Sequence, residues 1–488
     1  MKKAWFKGFS LVLAAVLALA VVPVSEAALG DTVIEMNRAI TRESIVEMAI
    51  KLKHTGFDGA EKLEDYLNKF LRENFDEYRD EYFNDGIAFE NRLSKEYIHD
   101  IYFDVIPSVK KPYRAGTLKS EPINDTLNAL KMVRYLAGLP YDDLSMTNGL
   151  NTSAQHRAVL AAATGTIGHD LPKPADMEPE FYQATLNGGY DQCELMHCLS
   201  TSPRVHMPST AGAILSLMDD DGSNNISAAG HRLEILNPNT KEFGMGYAHR
   251  FDYPRSLTIP GYGTSNFYES YYYVHTKRLL GIGAEIDTYV AWPNSGDFPV
   301  EYFNDTSYPW SLTLGADYQT PNKNDITLTL TRTRDNKKWT FDKNTLNLGE
   351  NTNNYRNSSL DHLNVYGKNI VFRPNEKELG RILTDDVFKV SLSGIKTANG
   401  MSAALSYDVK FFNLGREIGK ILGCVSGGEN LSITDARMIL QHLVGKSLLT
   451  PEQQDIADVD GKDGVTITDA RLVLQKLVGK IEKFPREL

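Results

Sequence analysis

Ser432-Ile-Thr-Asp-Ala-Arg-Met-Ile-Leu-Gln-His-Leu-Val-Gly-Lys446 returns near the end of the chain as Thr466-Ile-Thr-Asp-Ala-Arg-Leu-Val-Leu-Gln-Lys-Leu-Val-Gly-Lys480. Self-similarity this close is the sequence signature of a repeated structural unit. Each copy is interpreted as a loop that leads into a helix. The repeat therefore predicts a small α-helical module over residues 415–488.

A loop of acids and glycines precedes the second copy and has the length of an EF-hand calcium loop. Asp458, Asp460, Thr466 and Asp469 fall at its ligand positions one, three, nine and twelve, and Asp463 stands one place later than the usual acid. Because calcium takes six to eight oxygen ligands, the second loop predicts a Ca²⁺ site.

The first copy is a poorer calcium loop. Cys424, Ser426, Gly428 and Ser432 occupy the equivalent positions, and Asp435 alone keeps its carboxylate. We therefore expect one calcium site, in the second loop; Asp435 marks at most a weak site in the first loop, whose occupancy stays open.

The two copies resemble a type I dockerin, the module by which secreted proteins of anaerobic bacteria attach to cohesins of a cellulosome scaffold. The resemblance implies a cohesin partner and a cell-surface location through the cellulosome. It implies that eight side chains read the cohesin: Ile433, Thr434, Leu440, Gln441, Ile467, Thr468, Leu474 and Gln475. The alternative is that the apolar members of this set pack the two helices together.

The start of the chain predicts export. Lys2, Lys3 and Lys7 precede an apolar run, and Ser25-Glu26-Ala27 provides small residues for a signal-peptidase site. Residues 1–27 are thus interpreted as a signal peptide and the protein as secreted and extracellular, with no transmembrane anchor. The formal net charge is −11, and the acidic excess excludes a nucleic-acid partner because no basic stripe is present.

The composition permits several domains but no disulfide framework. The chain has 488 residues and three cysteines, Cys193, Cys198 and Cys424; a length of this order corresponds to about three domains. Pairing of Cys193 with Cys198 stays open. We expect a multidomain protein with a helical N-terminal segment at 28–122, a central unit at 123–287, an antiparallel β-sandwich at 288–414 and the module at 415–488.

Two histidines in the central unit follow glycines: Gly168-His169-Asp170 and Ala229-Gly-His231-Arg-Leu-Glu-Ile-Leu-Asn-Pro238, the latter followed by Phe243-Gly-Met-Gly-Tyr247. Histidines with acids between them can form a divalent-metal site or an acid/base pair. The other histidines are given plainer roles. His156 is expected to pack within a helix, and His197 and His206 are expected to be solvated loop residues.

This order of landmarks resembles the CAP superfamily of cysteine-rich secretory, antigen 5 and pathogenesis-related proteins. The resemblance implies an α/β/α sandwich with a cleft formed by His169 and His231 together with two acids, which can hold Zn²⁺ or another divalent ion. Glu194 is the first acid, although a register that places Cys193 there fits as well. Asp220 is chosen as the second acid from the run of three aspartates.

Three functions follow from these patterns. The first is a secreted, cellulosome-docked protein whose CAP-like cleft binds an unknown ligand or substrate. The second is a metal-assisted hydrolase, such as a peptidase, that uses His169 and His231. The third is a carbohydrate-binding component that uses aromatics of the β-rich region, although tryptophans at this spacing are more often core residues.

Overall fold

The computed structural model of the chain describes residues 32–35, 40–52, 60–186, 193–200, 209–220, 225–252, 255–259, 263–278, 288–303, 305–350, 358–418, 422–426, 431–449, 451–462 and 464–485. The predicted signal peptide at 1–27 lies outside these residues. The described residues form a multidomain protein with helices and several mixed or antiparallel sheets.

The N-terminal and central parts alternate helices with short strands. In chain order they contain β1 Thr32–Glu35, α1 Arg42–Leu52, α2 Ala60–Asn84, α3 Gly86–Tyr102, β2 Phe103–Val105, β3 Thr117–Leu118, α4 Ser120–Leu136, β4 Ser145–Met146, α5 Asn148–Thr164, α6 Pro179–Leu186, β5 Cys193–Ser200, α7 Thr210–Asp219, α8 Asn225–Ala228, α9 Gly230–Ile235, β6 Thr240–His249, β7 Arg255–Ile259 and β8 Gly263–Arg278.

The following region is rich in strands, and the end of the chain is helical. The strands and short helices up to Phe412 are β9 Tyr289–Trp292, β10 Gly296–Pro299, a 3₁₀ turn at Val300–Tyr302, β11 Trp310–Leu314, β12 Thr327–Arg332, β13 Lys337–Phe341, a 3₁₀ turn at Leu348–Glu350, β14 His362–Tyr366, β15 Asn369–Arg373, α10 Glu376–Leu379, β16 Val387–Lys396 and β17 Ser402–Phe412. The remaining helices are α11 Leu414–Ile418, α12 Ile433–Leu443, α13 Pro451–Ala457 and α14 Ile467–Leu477.

The central unit has three layers around the sheet β4-β6-β8-β5. Phe243 and Met245 of β6 belong to an apolar core that includes residues of α4 and α7. Ala248 of the same strand belongs to a second core, formed with α5 and α6. Because successive side chains of a strand point to opposite faces, one strand supplies both cores, and helices cover the sheet on both sides.

The glycines of Phe243-Gly-Met-Gly-Tyr247 let α5 lie directly on the sheet. A Cβ atom on Gly246 would lie 2.2 Å from the backbone carbonyl of Ala154 in α5. Polar residues of α5 also bond to the backbone of β6, because Asn151 Oδ1 accepts a hydrogen bond from Met245 N and Gln155 Oε1 accepts one from Tyr247 N. The motif therefore specifies a close helix–sheet contact.

The β-rich region forms two sheets. One has the order β14-β15-β11-β9, and the other contains β17, β16, β12 and β13 as antiparallel neighbours. The expectation of a purely antiparallel sandwich is wrong, since β1 and β10 both pair in parallel with β17. The free edge of β17 accepts these distant segments through backbone hydrogen bonds, which local alternation of side chains cannot reveal.

The helical interpretation of the first residues is also wrong in part. Thr32–Glu35 is a strand, although its apolar spacing was assigned to a helix. Each residue of this segment lies opposite a residue of β17, from Thr32 opposite Ala403 to Glu35 opposite Ser406. A short apolar run fits either periodicity, so the partner strand decides its conformation.

The aromatics that motivated a sugar-binding surface lie mostly in the core. Trp292, Trp310, Trp339, Tyr302 and Phe303 are all buried. Buried rings cannot stack on a polysaccharide, so the core interpretation of the tryptophans is confirmed. Tyr308, another aromatic that suggested sugar binding, is half-buried, so the carbohydrate alternative loses most of the residues that suggested it.

Besides the core between the central sheet, α5 and α6, the described residues contain one large core and a separate C-terminal core. The large core extends from Ile45 to Leu414 and crosses the expected boundaries near residues 122 and 287. The C-terminal core extends from Val425 to Phe484. The last part of the chain is thus packed around its own interior.

Cys193 and Cys198 cannot pair with each other. Both lie in β5, and five residues of extended strand separate their Cα atoms by about 16 Å. A disulfide requires Cα atoms within about 7 Å. Cys198 is accordingly a thiol, and burial raises its pKa to about 11.

A search of the described helices for a long, apolar stretch able to cross a bilayer found none.

Candidate functional site

The second loop brings three carboxylates together. Oxygen atoms of Asp458, Asp460 and Asp469 lie within 4.8 Å of one another. Asp469 is fully buried, and its Oδ1 accepts hydrogen bonds from Val459 N at 2.9 Å and Asp460 N at 3.1 Å. The loop is therefore folded around Asp469. Three converging carboxylates fit a hard cation such as Ca²⁺.

Thr466, another predicted calcium ligand, has a different role. The Thr466 hydroxyl donates to Asp469 Oδ2 at 2.8 Å and, with the Thr466 N–H, forms the capping box that starts α14. Its observed role is that of a helix cap. Asp463 lies outside the described residues.

The first loop keeps the central aspartate without its neighbouring acids. Asp435 is fully buried, and its carboxylate accepts hydrogen bonds from Ser426 N, Ser432 N and Ser432 Oγ, each at 2.7 Å. Burial favours the protonated form, but these hydrogen bonds outweigh it and lower the pKa of Asp435. Asp435 is thus satisfied by protein donors, while Cys424 stands where the second loop has Asp458.

The two helices of the repeat display matching apolar side chains. Ile433 and Ile467 are 73% and 71% exposed, and Leu440 and Leu474 are 39% and 38% exposed. The small C-terminal core is made by other residues of the same helices, among them Ala436, Ile439, Ala470 and Val473. The alternative that the predicted cohesin-reading isoleucines serve mainly to pack the helices is therefore wrong.

The exposed apolar surface is larger than the predicted set. Leu443, Val444, Leu477 and Val478 are also exposed, and they too are equivalent between the copies. Thr434, Gln441, Thr468 and Gln475 are half-buried beside them. The signal for the additional residues was present, since Leu-Val ends both copies of the repeat. We call Ile433, Leu440, Leu443, Val444 and their equivalents Ile467, Leu474, Leu477, Val478 the apolar docking face.

The central unit brings three of its four predicted site residues together. His231 Nδ1 lies 2.9 Å from Asp220 Oδ1, and His231 Nε2 lies 3.7 Å from Glu194 Oε2. Asp220 is the C-cap of α7 in the left-handed conformation, Glu194 lies in β5, and His231 is the second residue of α9. This contact is consistent with the alignment in which Glu194, and not Cys193, stands at the position of the first acid.

The carboxylates determine the protonation of His231. Burial disfavours the imidazolium, but the hydrogen bond and charge of Asp220, together with the charge of Glu194, outweigh it and raise the pKa of His231. An ionised carboxylate can only accept, so Nδ1 donates to Asp220 and Nε2 is directed toward Glu194. A histidine oriented in this way can exchange a proton at Nε2.

His169 is held on the other side of the sheet. Its carbonyl accepts a hydrogen bond from Arg157 Nη1 of α5 at 2.9 Å, and the preceding Gly168 bonds to Tyr273 Oη. Tyr273 belongs to the α5 side of the sheet, whereas Glu194 lies opposite Val274, which belongs to the α7 side. Within the described ranges, neither His169 nor His231 belongs to a cluster of three metal-ligating groups. The zinc site stays a prediction.

The remaining histidines have mixed outcomes. His156 lies in α5 with its ring 5.0 Å from that of Phe181, as expected for a packing residue. The loop interpretation of His197 is wrong, because it lies in β5, with Nε2 3.2 Å from the buried Glu269 Oε1 and its ring stacked on Tyr271. This contact depends on the pairing of β5 with β8, which are far apart in the chain, so no local sequence motif could predict it. His206 lies outside the described residues.

Comparison with known proteins gives a match confined to a small part of the chain. A chain of the third cohesin ScaC in complex with the ScaB dockerin from Acetivibrio cellulolyticus, mutated in the N-terminal helix, is 36% identical over 14% of this chain and 94% of that chain, with a TM-score of 0.13. A chain of the same complex mutated in the C-terminal helix is 36% identical over 14% and 96%, with a TM-score of 0.14. Both structures are described as displaying a type I interaction. No model of a protein family and no curated protein matches the chain.

Proposed function

We propose that this chain is a secreted protein that docks onto a cohesin of a cellulosome scaffold through residues 415–488. The observation that carries the proposal is the apolar docking face, whose side chains are exposed to equal degrees in both copies while a separate core holds the module together. Groups of exposed large apolar side chains are typical of an interaction surface.

Calcium has a structural role in this proposal. The carboxylates of Asp458, Asp460 and Asp469 bind one Ca²⁺. The bound ion offsets the repulsion among the three negative charges, so that α14 starts at a fixed position. Binding of the cohesin then depends on calcium, because half of the docking face lies on α14.

The test uses the full chain on an immobilised cohesin from the same source, with Ca²⁺ or with EDTA. We expect the wild-type chain to be retained on the cohesin only with Ca²⁺. A variant that combines Ile433→Asp, Leu440→Asp, Ile467→Asp and Leu474→Asp should not be retained even with Ca²⁺. Met401→Asp is the matched control, since Met401 is an exposed apolar residue outside the module. Full retention of the fourfold variant would contradict the proposal.

We further propose that residues 123–287 are a CAP-like unit whose cleft binds a ligand beside His231. The hydrogen bond between His231 and Asp220, with Glu194 3.7 Å away, supports this role. A histidine whose pKa is raised by two neighbouring acids is typical of a catalytic or binding site. The alternative is a metal-assisted hydrolase, such as a peptidase, in which His169 and His231 would hold the ion.

Zinc titration by calorimetry separates these two functions. The full chain is saturated with Ca²⁺, and wild type is compared with His231→Ala, His169→Ala and the control His156→Ala. Micromolar Zn²⁺ binding that is lost in His231→Ala but kept in His156→Ala would favour the hydrolase. Binding of equal strength in wild type and His231→Ala would remove the metal function and leave the ligand-binding cleft.

A further inference from the structure

Arg232, the residue after His231, joins the candidate cleft to the β-rich region. Its side chain is fully buried. Toward α7, the guanidinium donates to Met218 O from Nε at 2.9 Å and from Nη2 at 2.6 Å, and to Asp219 O at 3.2 Å. Toward the β-rich region, Nη1 donates to Pro309 O at 2.6 Å and to Ser311 Oγ at 3.2 Å. One side chain therefore spans two parts of the protein.

The α7 end of this bridge fixes the partner of His231. Met218 and Asp219 are the last residues of α7, and Asp220 is its C-cap. A cation at the C-terminus of a helix is favourable because the last carbonyls carry partial negative charge. The backbone N–H of Arg232 also donates to Asp220 Oδ2 at 2.9 Å. The Arg232 side chain thus holds the two residues that precede Asp220, and the Arg232 backbone N–H holds the Asp220 carboxylate that accepts from His231.

A second bridge reaches the same histidine from the β-rich sheet. Asn364 Nδ2 of β14 donates to Ser227 O at 2.7 Å and to Ser227 Oγ at 3.1 Å. Ser227 belongs to α8, whose first residue, Asn225, lies with its side-chain amide nitrogen 3.2 Å from His231 Nδ1. Because Nδ1 donates to Asp220, Asn225 contacts the ring without donating to it. The segment α8–α9, which carries His231, is therefore supported by β14 and by the start of β11.

We propose that Arg232 is a positioning residue for the Asp220–His231 pair, and that the β-rich region is the support against which this pair is oriented. The inference deepens the proposed ligand-binding cleft and rests on it for its functional meaning. It assigns a structural role to the β-rich region. Its geometric content is tested on His231 itself, without any substrate.

The experiment is an NMR titration of the histidine Cε1–H signals in the full chain, with the His231 signal assigned by His231→Gln. We compare wild type with Arg232→Lys, which keeps the charge but loses the planar set of guanidinium donors. We also compare it with Ser311→Ala and Asn364→Ala, which remove the hydrogen bonds of Ser311 to Arg232 and of Asn364 to Ser227. Arg334→Lys is the control, because Arg334 pairs with Asp386 within the β-rich region. We expect the pKa of His231 to fall toward its ordinary value in Arg232→Lys, and by less in the two milder variants.

Wild-type titration of His231 in folded Arg232→Lys would overturn the proposal. If Arg232→Lys does not fold, Ser311→Ala and Asn364→Ala decide: a lowered His231 pKa in either supports the proposal, and wild-type titration in both overturns it. The two proposals can fail separately. If the cleft binds no ligand, no ligand or metal will bind at His231, but the pKa of His231 will still change in the variants.

Discussion

Asp435 and Asp469 occupy equivalent positions in the two copies of the repeat and accept equivalent hydrogen bonds. Asp435 accepts from Ser426 N and Ser432 Oγ, and Asp469 accepts from Asp460 N and Thr466 Oγ1. The same carboxylate therefore organises both loops. The copies differ in charge, because only the second loop adds Asp458 and Asp460.

This difference predicts that calcium matters for a substitution in the second loop but not for one in the first. Asp458→Asn should remove most of the stabilisation that Ca²⁺ gives to the module. Asp435→Asn should cost about 2 kcal/mol with or without Ca²⁺, since it weakens hydrogen bonds to a buried carboxylate. Thermal unfolding followed by circular dichroism, with Ca²⁺ and with EDTA, measures both. An Asp458→Asn variant with the full calcium response would contradict the site.

The extended docking face gives a second prediction. Val444→Asp combined with Val478→Asp should weaken cohesin binding at least tenfold without changing the unfolding midpoint, because both side chains are largely exposed. Calorimetric titration with the cohesin measures the effect. Leu346→Asp, at an exposed leucine of the β-rich region, is the control. Unchanged affinity would restrict the face to the residues expected from the sequence.

The pair of Asp220 and His231 predicts a pH-dependent contribution to stability. The folded protein raises the pKa of His231, so the favourable contribution is complete below the ordinary histidine pKa and is lost as the pH rises through the folded value. Asp220→Asn should therefore destabilise the protein more at pH 5 than at pH 9. Urea unfolding at both values tests this, with the exposed Asp170→Asn as control.

His99 and His249 predict a pH dependence of the other sign. Their Nε2 atoms are 3.0 Å apart, so one ring must donate and the other accept. Burial, then the charge of the partner histidine, lowers the pKa of His249 to about 3, and burial lowers that of His99, where Lys95 also lowers it and Asp252 raises it. Neutral histidines are thus favoured in the folded state.

Stability from this pair should be complete above about pH 6.5 and fall progressively toward pH 3. Lowering the pH to 5 should decrease the free energy of unfolding by about 2 kcal/mol through His249 alone, because the unfolded state binds the proton more readily. His249→Phe should flatten this part of the stability profile, because Phe251 and Tyr247 already surround the ring. Equal slopes for wild type and variant between pH 7 and 5 would count against the assignment.

The contact between α5 and the central sheet predicts a strong effect at Gly246. Gly246→Ala should destabilise the protein by about 1–3 kcal/mol, since its Cβ would overlap the backbone of Ala154. Gly149→Ala is the matched control, because Gly149 lies within α5 with no atom near its Cβ position. That change should be neutral or stabilising by about 0.5–1 kcal/mol. Chemical denaturation distinguishes the two.

The sequence by itself determined the local elements whose patterns are long or repeated. The strand-rich texture expected for residues 288–414 is found in β9 to β17. The repeat also predicted two equivalent helices, which are α12 and α14. Such patterns suffice because their periodicity fixes which side chains share one face.

Only the tertiary structure decided the contacts between distant segments. The pairing of Thr32–Glu35 with β17, the placement of His197 against Glu269, and the bridge from Arg232 to Ser311 all join residues far apart in the chain. No local spacing encodes them, since they depend on which strand edges and buried carbonyls the rest of the fold leaves open. The predicted site residues were therefore named from the sequence, but packing on the two faces of the central sheet decided that His231 meets Asp220 and Glu194 while His169 lies toward the other core.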